Sequence, residues 1–484
     1  MRLSIACGAV VVVAVLVSAR AVQQNDRGSP TSFAFVHATV IDGTGAAPKR
    51  DQTVLVTGAR ITAIGNSSAI QIPPSAQMLD GRGKFLIPGL WDMHVHIRGG
   101  KDLVTANEAF LTLYVANGVT GIREMGGDLV DTVLQWRGEI AEGTRLGPQI
   151  ITAGPKVDGP RPQWPGSLPI ATAADARDAV AEVKRKGADF LKIYSGVPRE
   201  AYFAALDQAK KLSLSVSGHV PSDILVREVS DAGQRSIEHF NEVFPGTSRD
   251  ENDIKLEAAR RRNTQNPMGG VEQTERLFAG YDGETARRLV ARLAANGTWV
   301  DLTLGVFHTI ATMDQTDFAN DPRRKYISAA MWTSWTAGVR SSAGLARQGV
   351  MFRQILSKEH DLVAMMRSAH VGLLAGTDTG ASNPYMFPGS SLHEELALLV
   401  DAGLTPMEAL QAATRDAAVF MGRLDTLGTL EKGKSADMVL LDRNPLDDIR
   451  NTRTINAVVV RGKVLSKGDL EKQLLHVEAK VSNR

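Results

Sequence analysis

Between residues 33 and 78 apolar and polar positions alternate in short runs, FAFVHATVIDGTG and TVLVTGARITAIG, broken by Gly, Pro and Asn. A period of two with turn formers between the runs predicts hairpin strands buried on one face. The same pattern returns near the C-terminus in SADMVLLD, the turn RNPLDD and INAVVVRGKVL. Two strand-rich ends predict one composite β-sandwich domain over 33–87 plus 423–468, with 469–484 as a tail.

The middle of the chain has a different rhythm. Apolar strand-like runs at 85–95, 119–124, 149–153, 190–194, 213–218, 235–238, 298–304 and 372–376 alternate with amphipathic segments such as TAADARDAVAEVKRKG and REAYFAALDQAKKL. Strands alternating with helices predict a parallel sheet with crossover connections. Eight such units predict an α/β architecture, a (β/α)8 TIM barrel over 88–422. Two connections exceed the usual length: 245–284, and 308–359 with DPRRKY and MWTSWTAG. Insertions on a barrel serve either as lids on the catalytic face or as surface elaboration away from substrate, and both readings stay open. There is no internal repeat and no low-complexity tract.

Composition narrows the class. With 484 residues, 43% hydrophobic and 22% charged, the chain affords a large core. A formal net charge of +2, with basic residues scattered, leaves nucleic acid unexpected as a partner. Residues 1–21 read as a signal peptide: Arg2, an apolar stretch over 5–17 and the small-x-small site Ala19-Arg20-Ala21. The apolar run is short for a bilayer span. The expectation is a periplasmic or secreted protein, without stable membrane insertion if the segment is cleaved; an uncleaved anchor is the alternative. Cys7, the one cysteine, lies inside that segment and too early for lipoprotein attachment. A mature chain without cysteine forms no disulfide, and any metal site in it must use His, carboxylates or a modified Lys.

The metal-capable residues fall at predicted strand ends. His94 and His96 close the first run, in FLIPGLWDMHVH; Lys192 lies late in the fourth, in ADFLKIY. His219 follows the fifth in SVSGHV, His239 the sixth in SIEHF, and Asp378 the eighth in GLLAGTD. C-terminal strand ends form the catalytic face of such a barrel, so these residues should converge. Residues two apart on a strand point the same way, which lets His94 and His96 share one cation. H-x-H alone is weak; its conjunction with strand-end positions on four further strands is not. Lys192 sits within an apolar run, where burial depresses its pKa toward the neutral amine. That amine can take up carbon dioxide as a carbamate, an anionic ligand able to bridge two divalent ions; the alternative is a lysine reaching out to the barrel mouth.

PGLWDMHVH, FLKIY, SGHV, IEHF and AGTDTG, with LTPMEALQAAT and GTLEKGKSADMVLLD, closely resemble the motifs of the amidohydrolase superfamily, in its imidazolonepropionase-like and Xaa-Pro dipeptidase-like branch. The resemblance covers nearly all of the mature chain. It implies one metal on His94, His96 and Asp378, a second on His219 and His239, carboxylated Lys192 bridging, and a hydroxide shared between the ions. It also implies that Asp378 moves the proton from nucleophile to leaving nitrogen. Zinc is the default ion for such a donor set, with Mn, Co and Fe open. The single-metal deaminases of the superfamily carry a Glu shortly after the fifth-strand His; here Val220, Pro221 and Ser222 follow His219.

The expected activity is hydrolysis of an amide or peptide-like C–N bond in a small molecule: a dipeptide, an N-acyl amino acid or a cyclic amide. Ester, lactone or phosphotriester hydrolysis on the same site is the alternative, and a non-catalytic scaffold on a retired barrel the third reading. Arg123, in GIREMGG, is a candidate for binding a substrate carboxylate, or else pairs with Glu124 or another acid. Tyr194, two residues after Lys192, contacts substrate or the tetrahedral oxyanion, or packs in the barrel. His308 is a candidate pocket residue and His393 is read as structural; His37, His360, His370 and His476 have no supporting context. A homo-oligomer is left open.

Overall fold

The structure is a computed structural model that describes residues 32–261, 268–340, 345–380 and 382–482. The signal-peptide reading of 1–21, with Cys7, lies outside the described residues.

Both chain ends build one eight-stranded sheet. Ser32–Val40 pairs antiparallel with Lys49–Thr57 on one side, and parallel with Gln77–Asp80 and then Phe85–Pro88 on the other. Phe85–Pro88 pairs antiparallel with Met438–Leu441, which continues to Ile455–Val460 and Lys463–Ser466. The period-two pattern explains the result. Phe33, Phe35, Val54, Val56, Leu86, Met438, Leu440 and Val459 are buried together in one cluster between the layers of the folded sheet. The run read as one strand over 85–95 is divided: Phe85–Pro88 belongs to the sandwich and Leu90–Val95 to the barrel, with Gly89 between.

The eight barrel strands are β1 Leu90–Val95, β2 Val119–Glu124, β3 Gln149–Thr152, β4 Leu191–Ile193, β5 Val216–Gly218, β6 Ser236–Glu238, β7 Trp299–Asp301 and β8 Leu373–Leu374. Ladders link β1 to β2 to β3 and β4 through β8, all parallel. Main-chain bonds complete the circle: Asp189 N–H donates to the Thr152 carbonyl at 2.8 Å, and β1 meets the segment after β8 through Met93 N–H on the Ala375 carbonyl at 2.9 Å and His96 N–H on the Thr379 carbonyl at 2.8 Å. These short strands are largely buried because both faces are covered, one by helices and one by the barrel interior.

The segment expected as a tail is a helix, Lys467–Ser482. Leu470, Val477 and Val481 are buried, and Lys480 meets Glu108 on the helix Val104–Ala116 at 2.6 Å. Spacings of seven and four place those three apolar residues on one stripe, which docks onto the barrel. The two long connections are helical. The first holds Glu251–Arg261 and Gly270–Ala279, and the second Ala329–Arg340 and Leu345–Leu356 behind the helix Leu304–Thr312.

Candidate metal centre

All six strand-end residues meet at the C-terminal mouth of the barrel. The ring centroids of His94 and His96 are 5.3 Å apart, those of His94 and His239 4.6 Å, and those of His219 and His239 4.8 Å. Asp378 Oδ1 lies 3.2 Å from His96 Nε2 and 3.6 Å from His94 Nε2. Ligand atoms of His94, His239 and Asp378 all fall within 4.8 Å of one another. Lys192 is fully buried beside them, on the middle residue of β4.

Each histidine is oriented through its far nitrogen. His96 Nδ1–H donates to the Gly126 carbonyl at 2.7 Å, and His94 Nδ1 meets Glu238 Oε2 at 3.0 Å. His239 Nδ1 pairs with Thr303 Oγ1 and His219 Nδ1 with Ser195 Oγ, both at 2.8 Å. Every Nε2 is thereby left to face the shared space, as ligating histidines require. Burial above all holds His94 well below its ordinary pKa, and pushes His96 and His239 down to about 3, so these rings are neutral electron-pair donors. Burial also brings the Lys192 amine down to about 8, against the opposing pull of Glu238 and Asp378. His94 Nε2 and Lys192 Nζ are buried with no hydrogen-bond partner. Orphaned polar atoms among four histidines, an Asp and a Lys fit a metal-binding site.

Backbone strain collects at the same place. His239 (φ 77°), Asp378 (φ 54°) and Thr303 (φ 46°) adopt the left-handed region just beyond β6, β8 and β7. Such conformations cost about 1–3 kcal/mol each and persist where surrounding structure over-determines them. Gly218 has φ 143°, and a Cβ there would lie 2.1 Å from the Ile193 carbonyl oxygen. Only glycine lets β5 pass β4 closely enough to deliver His219.

Arg123, read as binding a substrate carboxylate or pairing with an acid, is not among the residues lining the cavity. Its guanidinium, 1% exposed, lies beneath the centre, where it donates to Glu238 Oε2 at 2.6 Å, Asp301 Oδ2 at 3.1 Å and Ser236 Oγ at 3.2 Å. The other reading, pairing with an acid, is what is seen, although the acids are on β6 and β7 rather than Glu124. Arg123 balances the carboxylate that orients His94. Tyr194 does face the cavity: its ring lies 4.1 Å from that of His219, and its hydroxyl accepts from Trp164 Nε1 at 2.7 Å. Burial pushes its phenol up to about 12, leaving the hydroxyl proton in place.

The cavity above the ligands measures about 180 Å³, walled by Arg98, Trp164, Tyr194, Glu242, Val306 and Phe307. Larger clefts of about 650 to 800 Å³ lie elsewhere on the surface and hold none of the six ligands. Val306, Phe307 and Ile310 come from Leu304–Thr312, and Phe352 of the following insertion packs on Phe307 with centroids 5.1 Å apart. The second long connection therefore roofs the pocket, whereas none of the described residues of 245–284 lines it. His308 turns aside to Glu359 Oε2 at 2.8 Å. His393 is buried among Asn117 O and Thr452 Oγ1.

Several contributors were not anticipated: Asp92, Glu238, Asp301, Thr303 and Arg98. Asp92 precedes His94 by two and so shares its face; it accepts from Thr377 N and Oγ1 at 3.0 and 2.7 Å, tying β1 to the end of β8, and burial pushes its carboxyl up to about 7. An acid inside an apolar strand, as in WDMHV, SIE and WVD, was the available signal.

Residues 85–465 match the model of the amidohydrolase family. An ochratoxinase from Aspergillus niger is 24% identical over 444 residues, covering 79% of this chain and 76% of that protein. The imidazolonepropionase of Stenotrophomonas maltophilia is 23% identical over 457 residues, 90% of this chain and 97% of its own length. A solved structure from Bifidobacterium longum, described as a candidate prolidase, superposes with a TM-score of 0.66 at 25% identity, covering 93% of this chain and all of that one.

Proposed function

The chain belongs to the amidohydrolase family, and from that membership we propose an exported two-metal hydrolase that cleaves amide or peptide-like C–N bonds in small molecules. The observation that carries the proposal is the convergence of His94, His96, Lys192, His219, His239 and Asp378, with His94 Nε2 and Lys192 Nζ orphaned in a buried setting. His94, His96 and Asp378 would hold one ion and His219 and His239 the other. The neutral Lys192 amine would add to carbon dioxide and lose one proton, and the resulting carbamate would serve as an anionic oxygen ligand. Two divalent ions, zinc by the chemistry of the donors, supply Lewis acidity and a lowered water pKa when bound.

The protein's own groups do the rest. Asp378, in contact with His96 and held at a left-handed turn, is placed to take a proton from the attacking water and return it to the leaving nitrogen. Tyr194 keeps its proton and can donate to the oxygen that gains charge. Val306, Phe307 and Ile310 give the cavity an apolar wall against which the non-reacting part of a substrate can pack. Relatives named for ochratoxinase, prolidase and imidazolonepropionase activity support dipeptides, N-acyl amino acids and cyclic amides as the substrate class. Export is supported by the pattern of residues 1–21.

The test is metal analysis of reconstituted protein, with turnover of dipeptides, N-acyl amino acids, lactones and phosphotriesters. About two ions per chain and amide hydrolysis are expected, both lost in part or whole in Lys192→Ala. Undiminished activity in that variant would remove the two-metal reading. Turnover of lactones or phosphotriesters with amides inert would replace the substrate class.

A further inference from the structure

A threonine that opens a helix ordinarily caps it, its hydroxyl accepting from an N–H two or three residues on. Thr303 opens Leu304–Thr312, the helix that brings Val306, Phe307 and Ile310 to the cavity wall, and gives it no such cap. Its hydroxyl is turned to His239 Nδ1 at 2.8 Å instead, and its backbone is left-handed at φ 46° and ψ 45°. Leu304 and Gly305 are buried, so their N–H groups need acceptors from elsewhere.

Glu395 supplies them from another element. It lies on the helix Ser390–Asp401, fully buried, and takes the Leu304 N–H on Oε1 at 3.0 Å and the Gly305 N–H on Oε2 at 2.7 Å. A buried acid is costly and usually answers a cation. Here the charged groups that bear on it are the acids Asp301 and Glu359, and among the described residues no Arg, Lys or His pairs with it. Its two oxygens answer two consecutive main-chain donors, directly after the residue that orients His239.

The fit around that turn is close. A Cβ at Gly305 would lie 3.4 Å from Glu395 Oε2 and 3.2 Å from Met386 Cε. His239 is tied to the same segment by main chain as well: its N–H donates to the Asp301 carbonyl at 2.7 Å, and Phe240 N–H to the Leu302 carbonyl at 3.0 Å. A left-handed Thr relaxes unless its surroundings hold it, and the paired bonds from Glu395 are such a hold.

We infer that Glu395 is a positioning residue for the metal centre, which fixes the left-handed turn at Thr303 and, through the Thr303 hydroxyl, the ring of His239. The inference rests on the reading of His239 as a metal ligand. It reaches the centre from a helix that contributes no ligand and no cavity wall.

The experiment is zinc binding by competition with a chromophoric chelator, in metal-free wild type, Glu395→Gln, Thr303→Val and the double variant, with stability followed in denaturant. Gln keeps the shape but sets an NH2 group against one of the two N–H donors. One zinc-binding step is expected to weaken about 10- to 100-fold in Glu395→Gln, the usual loss when the support of a ligating histidine is altered. Thr303→Val should weaken the same step, and the double variant no more than the worse single, because the two residues act in series. Glu395→Asp, with both acceptors on a shorter arm, should fall between wild type and Gln, and takes the place of Gln if that variant does not fold. Lowered stability with unchanged zinc affinity, or losses that add in the double variant, overturns the inference and leaves the two-metal reading standing. A single zinc step in the wild type that still depends on Glu395 upholds the inference and sinks the two-metal reading; a wild type that binds no zinc sinks both.

Discussion

Glu238 touches two partners of opposite kinds, the His94 ring at 3.0 Å and the Arg123 guanidinium at 2.6 Å, and is fully buried. Replacing it by Gln keeps the shape but removes the charge that both partners face. Metal affinity in Glu238→Gln should fall about 10- to 100-fold, the usual cost of an altered support to a ligating histidine, measured by competition with a chelator. Arg123→Met strands Glu238 and Asp301 as buried acids and should cost about 3–5 kcal/mol of stability in denaturant titration. A variant of undiminished stability with a raised KM would instead return Arg123 to the substrate. The convergence of the six residues was legible from sequence because strand-end position and residue type coincide at each. The role of Arg123 was not, because a strand residue says which face it points to but not how deep in the barrel it lies.

Elements were read well where period and length agreed. The eight barrel strands fall within the predicted runs, but several shrink to two or three residues, since only those at the narrow part of the barrel complete a ladder. The missed helix Lys467–Ser482 shows why amphipathicity needs its partner to be interpreted: Leu470, Val477 and Val481 form a stripe only meaningful against the helix Val104–Ala116. Truncation after residue 466 should lower Tm by several degrees and leave metal stoichiometry unchanged, which calorimetry and metal analysis together check. Gly218→Ala should be far more severe, since its Cβ meets main chain rather than a flexible side chain. Misfolded or metal-free protein is the expected outcome, read by circular dichroism and metal content; a normally loaded variant would show that β5 can shift away from β4.

For the whole molecule, the pH dependence of stability has an identifiable source remote from the metal centre. His393 joins the helix Ser390–Asp401 to Asn117 O at 3.0 Å and Thr452 Oγ1 at 2.9 Å, and so ties the barrel to the C-terminal segment. Burial, then Arg453, pushes its imidazole down to about 4 from an ordinary 6.5. Between pH 6.5 and 4 the unfolded chain therefore takes up a proton that the folded one refuses, so stability is full above that window and falls as pH drops through it. The loss is on the order of 3 kcal/mol. Against wild type, His393→Gln, which offers both a donor and an acceptor, should show a shallower fall in Tm across that window; an identical slope would clear His393 of the effect.

The pairing of Phe85–Pro88 with Met438–Leu441 also bears on how the protein is made. A strand that leaves the ribosome early waits for a partner some 350 residues later, so the sandwich closes only after nearly the whole chain exists. Until then its apolar strands stay exposed, a hazard for aggregation. The strands Met438–Leu441, Ile455–Val460 and Lys463–Ser466 are in that sense the latch of the sandwich.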